Sequence, residues 1–132
     1  MKEILKNRFI SYITIDSQSD EASESCPSTK GQFEVANLVK GELEKIGLKD
    51  IVLDKNCYLT ALLPSNSGNT VPAIGFIAHF DTAPDCSGKN VKPQIISNYD
   101  GKEIKLGNSD LTLKPEEAYK GHDLITTDGT TL

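Results

Sequence analysis

The run Ala73-Ile74-Gly75-Phe76-Ile77-Ala78 carries no polar side chain and stops abruptly at His79-Phe80-Asp81-Thr82. A short uncharged apolar run of this kind predicts a buried strand, and the rest of the chain has to be organised around it. Side chains alternate along a strand, so His79 and Asp81, two positions apart, share a face. An imidazole and a carboxylate on one face suit a metal site. The imidazole supplies a lone pair, and the carboxylate orients the ring through its other nitrogen or offsets metal charge. The carboxyl ends of strands are also where open α/β sheets bind ligands. The plainer alternative is a hydrogen-bonded structural pair. One imidazole and one carboxylate do not fill a zinc shell, which usually takes about three or four protein ligands.

The chain has 132 residues, enough for one small domain with a core. Its 14 basic and 19 acidic residues leave a net charge of −5, and no Lys/Arg-rich run occurs. That balance argues against nucleic acid or an anionic membrane as a partner. No apolar run approaches the length of a membrane helix, and Met1 to Ile15 lacks the apolar core of a signal peptide. Cys26, Cys57 and Cys86 are widely spaced and form no Cys-x-x-Cys pair, which fits reduced thiols and a cytoplasmic chain.

Taken in order, Glu3 to Ile15 predicts a helix with an apolar stripe of Ile4, Leu5, Phe9, Tyr12 and Ile13. Asp16 to Thr29 is polar and reads as a loop. Thr29-Lys30-Gly31-Gln32 has the form of a capping box, and the helix it opens places Phe33, Ala36, Val39 or Lys40, Leu43 and Ile46 on one face. Gly47 is its expected stop. The period then changes. Ile51 to Leu53 and Tyr58 to Leu63 read as strands around Asp54-Lys55-Asn56. Pro64 to Pro72 is a polar turn, and the apolar run ending at Ala78 follows as the third strand. Ala83 to Gln94 is expected to be a long loop. Ile95-Ile96, Ile104 to Leu106, Leu111 to Leu113 and Leu124 to Thr127 are short strand candidates. Pro115 to Tyr119 suits one helical turn, and Asp128-Gly129 is a turn signal just before the last residue, Leu132.

Several longer segments carry a resemblance: Pro27 to Gln32, Pro72 to Thr82, Pro84 to Val91, Pro93 to Ile96, Asn98-Tyr99 and Leu124 to Gly129. In this order they resemble the tripeptide aminopeptidases of the M20 metallopeptidase family. The match covers nearly the whole chain, and the stretch after His79-Phe80-Asp81 is specific to that branch. The resemblance implies a dizinc exopeptidase that removes the N-terminal residue from tripeptides. His79 matches the family's first metal-ligand motif. Asp81 matches the companion carboxylate, which is counted with the catalytic residues. In that family the bridging Asp, the general-base Glu, the remaining ligands and the last His follow later than Leu132.

The fold expected from the resemblance is α/β: the N-terminal part of a zinc-exopeptidase catalytic domain, with two helices packed on a mixed and incomplete β-sheet. Residues 1–132 are expected to form a partial catalytic domain without a second domain. On this reading zinc binds weakly or not at all, and the chain alone is expected to be inactive. The alternative is a non-catalytic binding or self-assembly module, associating through exposed sheet edges. Other candidates carry less. His122 lies in turn-rich sequence and reads as a surface residue. Cys86 reads as a plain thiol and Asp85 as a turn residue. Asn98 and Tyr99 fall in the matched segments, which makes recognition of a peptide terminus a role to test. No Gly-x-Ser-x-Gly elbow supports a serine hydrolase.

Overall fold

A computed structural model defines the chain, and it describes residues 1–127. The expected turn at Asp128-Gly129 lies outside the described residues. The α/β class holds: two helices, α1 (Lys2–Ile13) and α2 (Gly31–Lys45), accompany short strands that form two-stranded sheets among the described residues. The chain divides into two compact units. One comprises Ser17–Pro84, and the other Met1–Asp16 with the chain from Asp85 onward.

The Ser17–Pro84 unit is built on α2 and a hairpin. Strands β1 (Lys49–Leu53) and β2 (Leu59–Leu62) pair antiparallel, and α2 packs on both. Val35 and Ala36 are the buried residues of α2, with Cys57 buried beside the hairpin turn. Burial therefore centres on Val35 and Ala36, and Ile46, expected on the buried face, is 56% exposed. The helix ends as its sequence predicts. Gly47 has φ +87, its amide donates to the Glu44 carbonyl, and the Leu48 amide donates to the Leu43 carbonyl. These two bonds make a Schellman motif, which satisfies carbonyls that the last turn leaves open.

The capping box does not form. The N-cap is Lys30, one residue later than expected, and no side chain caps the helix. Thr29 Oγ1 instead donates to the Gln18 carbonyl at 2.8 Å, and Gln32 Nε2 donates to Ser28 Oγ and Thr29 Oγ1. A tertiary bond has taken the hydroxyl that local sequence assigned to the helix. The hairpin turn is held by one carboxylate. Asp54 Oδ1 accepts from the amides of Asn56 at 2.9 Å and Tyr58 at 2.8 Å, and Cys57 closes the turn in a left-handed conformation at φ +69. Burial and the Asp54 carboxylate raise the Cys57 thiol above its ordinary range, which disfavours the nucleophilic thiolate.

The predicted strand Ala73 to Ala78 is absent. Residues 71–80 have no regular secondary structure, and Ile74, Phe76 and Ile77 are almost fully exposed. A strand exists only where another segment completes its hydrogen bonds, and no described segment does so here.

In the other unit, β3 (Pro93–Ile96) pairs antiparallel with β6 (Leu124–Thr127), and β4 (Ile104–Lys105) pairs with β5 (Thr112–Leu113). A 3-10 turn at Glu117–Tyr119 fills the predicted helical turn. Tyr99 and Ile104 are its buried apolar residues. Tyr99 donates its amide to the His122 carbonyl and accepts from Gly121, each at 2.8 Å, so the loop is clasped around the ring. α1 ends where Thr14 Oγ1 donates to the Ile10 and Ser11 carbonyls. Its stripe is only partly covered, with Ile4, Leu5 and Phe9 about half exposed. Lys2 reaches Asp123 at 2.6 Å, and the Asn98 amide donates to the same carboxylate. These two contacts, the lysine first, hold Asp123 below the ordinary carboxylate range.

Candidate functional site

The site grows from an anchor that the sequence did not advertise. Thr82 forms a parallel bridge with Gln18. Its amide donates to the Ser17 carbonyl at 3.2 Å, and its carbonyl accepts from both the Ser19 amide and the Ser19 hydroxyl. Gln18 Nε2 donates to the Pro84 carbonyl at 2.8 Å. Ser17 is the buried polar residue of this unit, at 2% exposed. The polar segment expected to be a plain loop therefore grips the backbone directly after Asp81. Composition concealed this role, since Ser and Gln in a polar stretch are ordinary loop residues. The only signal was the position of Thr82 immediately after His79-Phe80-Asp81.

Just before the anchor, His79 and Asp81 meet, but in irregular backbone rather than on the strand face from which their pairing was expected. His79 Nδ1 lies 3.1 Å from Asp81 Oδ1. The imidazole is 81% exposed and the carboxylate 40% exposed. With its proton on Nδ1, the ring donates to Asp81 and leaves the Nε2 lone pair directed away from the bond. That is the arrangement in which a carboxylate fixes the tautomer of a ligating histidine. The donor set fits one edge of a zinc shell and falls short of a whole one. Among the described residues, no group of three or more His, Cys, Asp or Glu side chains is placed to hold a metal ion.

The remaining candidates take structural places. His122 is exposed, and its carbonyl serves the Tyr99 clasp. Asp85 and Cys86 are exposed loop residues, and all three cysteines are thiols. Tyr99 is 2% exposed and fills the core of its unit, which gives it no surface with which to recognise a peptide terminus. Asn98 adopts φ +50 and spends its amide on Asp123. Among the described residues no helix is long and apolar enough to cross a membrane.

Comparison with known proteins adds a class and then a particular relative. No family model matches the chain. At the level of class, the chain resembles peptidases, which are hydrolases, along its whole length. The relatives are named Peptidase T. Those of Brevibacillus brevis and Bacillus subtilis are 51% and 52% identical over 138 residues, and that of Aliivibrio fischeri is 53% identical over 137. Each match takes in 100% of this chain but only 33–34% of the relative. The chain thus spans about a third of the length of the curated relatives it matches.

Proposed function

We propose that this chain is part of the catalytic domain of a dizinc tripeptide aminopeptidase, an enzyme that hydrolyses the N-terminal residue from tripeptides. The observation that carries the reading is identity of 51–53% over the entire chain with proteins named Peptidase T. The His79–Asp81 pair supports it. His79 would hold one zinc ion through Nε2, and Asp81 would brace the ring. Zinc, when bound, supplies Lewis-acid activation of water and of the scissile carbonyl. The chain's own contribution is to fix the tautomer and direction of one ligand, with Thr82 pinned behind it. By itself the chain offers one imidazole and one carboxylate, so the isolated polypeptide is expected to lack activity and to bind zinc weakly. A cytoplasmic location accompanies this reading, supported by three thiols.

The test is a chimera in which this chain replaces the matched stretch of the Bacillus subtilis relative. Chelator-sensitive tripeptide hydrolysis, lost with His79→Ala, is the expected result. A folded chimera without hydrolysis refutes the peptidase reading. Chelator-sensitive hydrolysis by the purified 132-residue chain alone refutes the inactive half.

A second reading is a non-catalytic module that self-associates. The exposed apolar run at Ile74, Phe76 and Ile77 favours it. A strictly monomeric chain at high concentration in light scattering would rule it out.

A further inference from the structure

The backbone that carries His79 and Asp81 has no regular secondary structure, so its direction is set by the tether at Thr82. That tether has a second tier. Gln32, in the first turn of α2, donates to the hydroxyls of Ser28 at 2.9 Å and Thr29 at 3.3 Å. Each hydroxyl in turn holds the loop that grips Thr82. Ser28 Oγ accepts from the Asp20 amide at 3.1 Å, and Thr29 Oγ1 donates to the Gln18 carbonyl at 2.8 Å. Between those two points, Gln18 reaches the Pro84 carbonyl and Ser19 the Thr82 carbonyl. Every member of this series lies in the Ser17–Pro84 unit. Local sequence assigns Thr29 and Gln32 to a capping box, yet both are spent on the loop instead.

Closing a loop takes one such contact. Here one loop takes two carbonyls and an amide within three residues of Asp81. We infer that Gln32, Thr29 and Gln18 are positioning residues for the His79–Asp81 pair. Through Thr82 and Pro84 they carry the rigidity of α2 to the backbone behind the pair, and so set where the His79 Nε2 lone pair points. A ligand already held in place has less freedom to lose when a metal binds. Partners that orient a ligating histidine act on metal affinity in this way. Each neutral hydrogen bond in the series is worth about two- to tenfold in the population of the held form. This inference rests on the peptidase reading for the ligand role of His79.

The experiment is nitrogen-15 NMR of the His79 ring in the 132-residue chain, first without metal and then in a titration with zinc chloride. The metal-free ring should carry its proton on Nδ1, toward Asp81. Thr29→Val removes the hydroxyl at nearly constant shape, and Gln18→Ala removes the donor to Pro84. Each is expected to lower the ratio of the Nδ1–H to the Nε2–H tautomer about two- to tenfold and to speed exchange of the Thr82 amide by a similar factor. Each should also weaken zinc binding at His79 about two- to tenfold. Thr29→Ser keeps the hydroxyl and should restore all three readouts. Thr112→Val removes a threonine hydroxyl bonded to Glu103 in the other unit and should change none of them. Folded Thr29→Val and Gln18→Ala chains with an unchanged tautomer ratio overturn the inference. So does a Thr112→Val chain that shifts the ratio as far, since general loosening would then explain the effect. Zinc that leaves the His79 signals of the parent chain unmoved removes the ligand role, and the tautomer ratio then decides the positioning role alone. An inactive chimera likewise removes the peptidase reading without touching the metal-free result.

Discussion

Replacing Gly47 by alanine isolates the backbone requirement at the end of α2. The residue has φ +87, and a Cβ built there meets no heavy atom within 4 Å. Steric clash with the surroundings is therefore excluded as a cost. What remains is the strain of placing an L-residue in the left-handed region, about 1–2 kcal/mol. Alanine also stiffens the unfolded chain, which offsets about 0.4–1 kcal/mol of that. The net loss expected is about 1 kcal/mol. The Gly47 and Leu48 bonds to Glu44 and Leu43, both 3.1 Å, should survive, because the substitution removes no donor. Urea unfolding followed by helical circular dichroism is the assay. With a slope of about 1–3 kcal/mol per molar, the midpoint should fall by about 0.5 M. Gly47→Asn should lose less, since Asn tolerates the left-handed region better. An alanine variant as stable as the parent refutes the claim that this conformation sets the helix end. A loss above about 3 kcal/mol refutes the claim that only backbone strain is involved.

Other substitutions test separate parts of the structure. Asp123 is depressed by Lys2 and the Asn98 amide. Its pairing therefore stabilises the fold above the ordinary aspartate range, near about pH 4, and is lost as pH falls through the lowered folded value. Lys2 is raised by the same pair, so its share is lost only at strongly alkaline pH, and Asp123→Asn should flatten the acid limb of a stability–pH profile. The Tyr99 hydroxyl is buried without a partner among the described residues, so Tyr99→Phe should hold stability or raise it by about 1 kcal/mol, whereas Tyr99→Ala should cost about 3–5 kcal/mol. A loss above about 1 kcal/mol for Tyr99→Phe in thermal melts would reveal a hydroxyl partner. Asp54→Ala removes the acceptor for two turn amides and should cost about 1 kcal/mol while exposing Cys57. Faster labelling of that thiol, with Cys86 unchanged, is the readout, and an unaltered rate would count against the turn as its shield.

Local rules read much of the molecule correctly. The helix α2 and its glycine stop depend on residues within a few positions of one another, and both appear in the structure, although its buried face centres on Val35 and Ala36 rather than on the full predicted stripe. So does the β1–β2 hairpin around Asp54, and His79 meets Asp81 without the strand that was expected to align them. The failures share a cause. The apolar run Ala73 to Ala78 has the composition of a strand, but composition carries no partner. The Thr29 hydroxyl had a local use as a cap, yet it bonds the carbonyl of Gln18, 11 positions away. Tyr99 looked available for recognition because burial cannot be seen from its neighbours in sequence.

By itself the sequence determined which segments prefer helix, where backbone torsion demands glycine, and that an imidazole and a carboxylate two residues apart can pair. These depend on short-range sterics and periodicity, which are complete within a few residues. Tertiary structure alone decided that β3 pairs with β6 rather than with nearby β4, that Ser17 and Ser19 grip Thr82, and that Tyr99 lies inside. Each of those outcomes depends on which distant backbone groups arrive to satisfy a donor or exclude water, and no local pattern specifies that arrival.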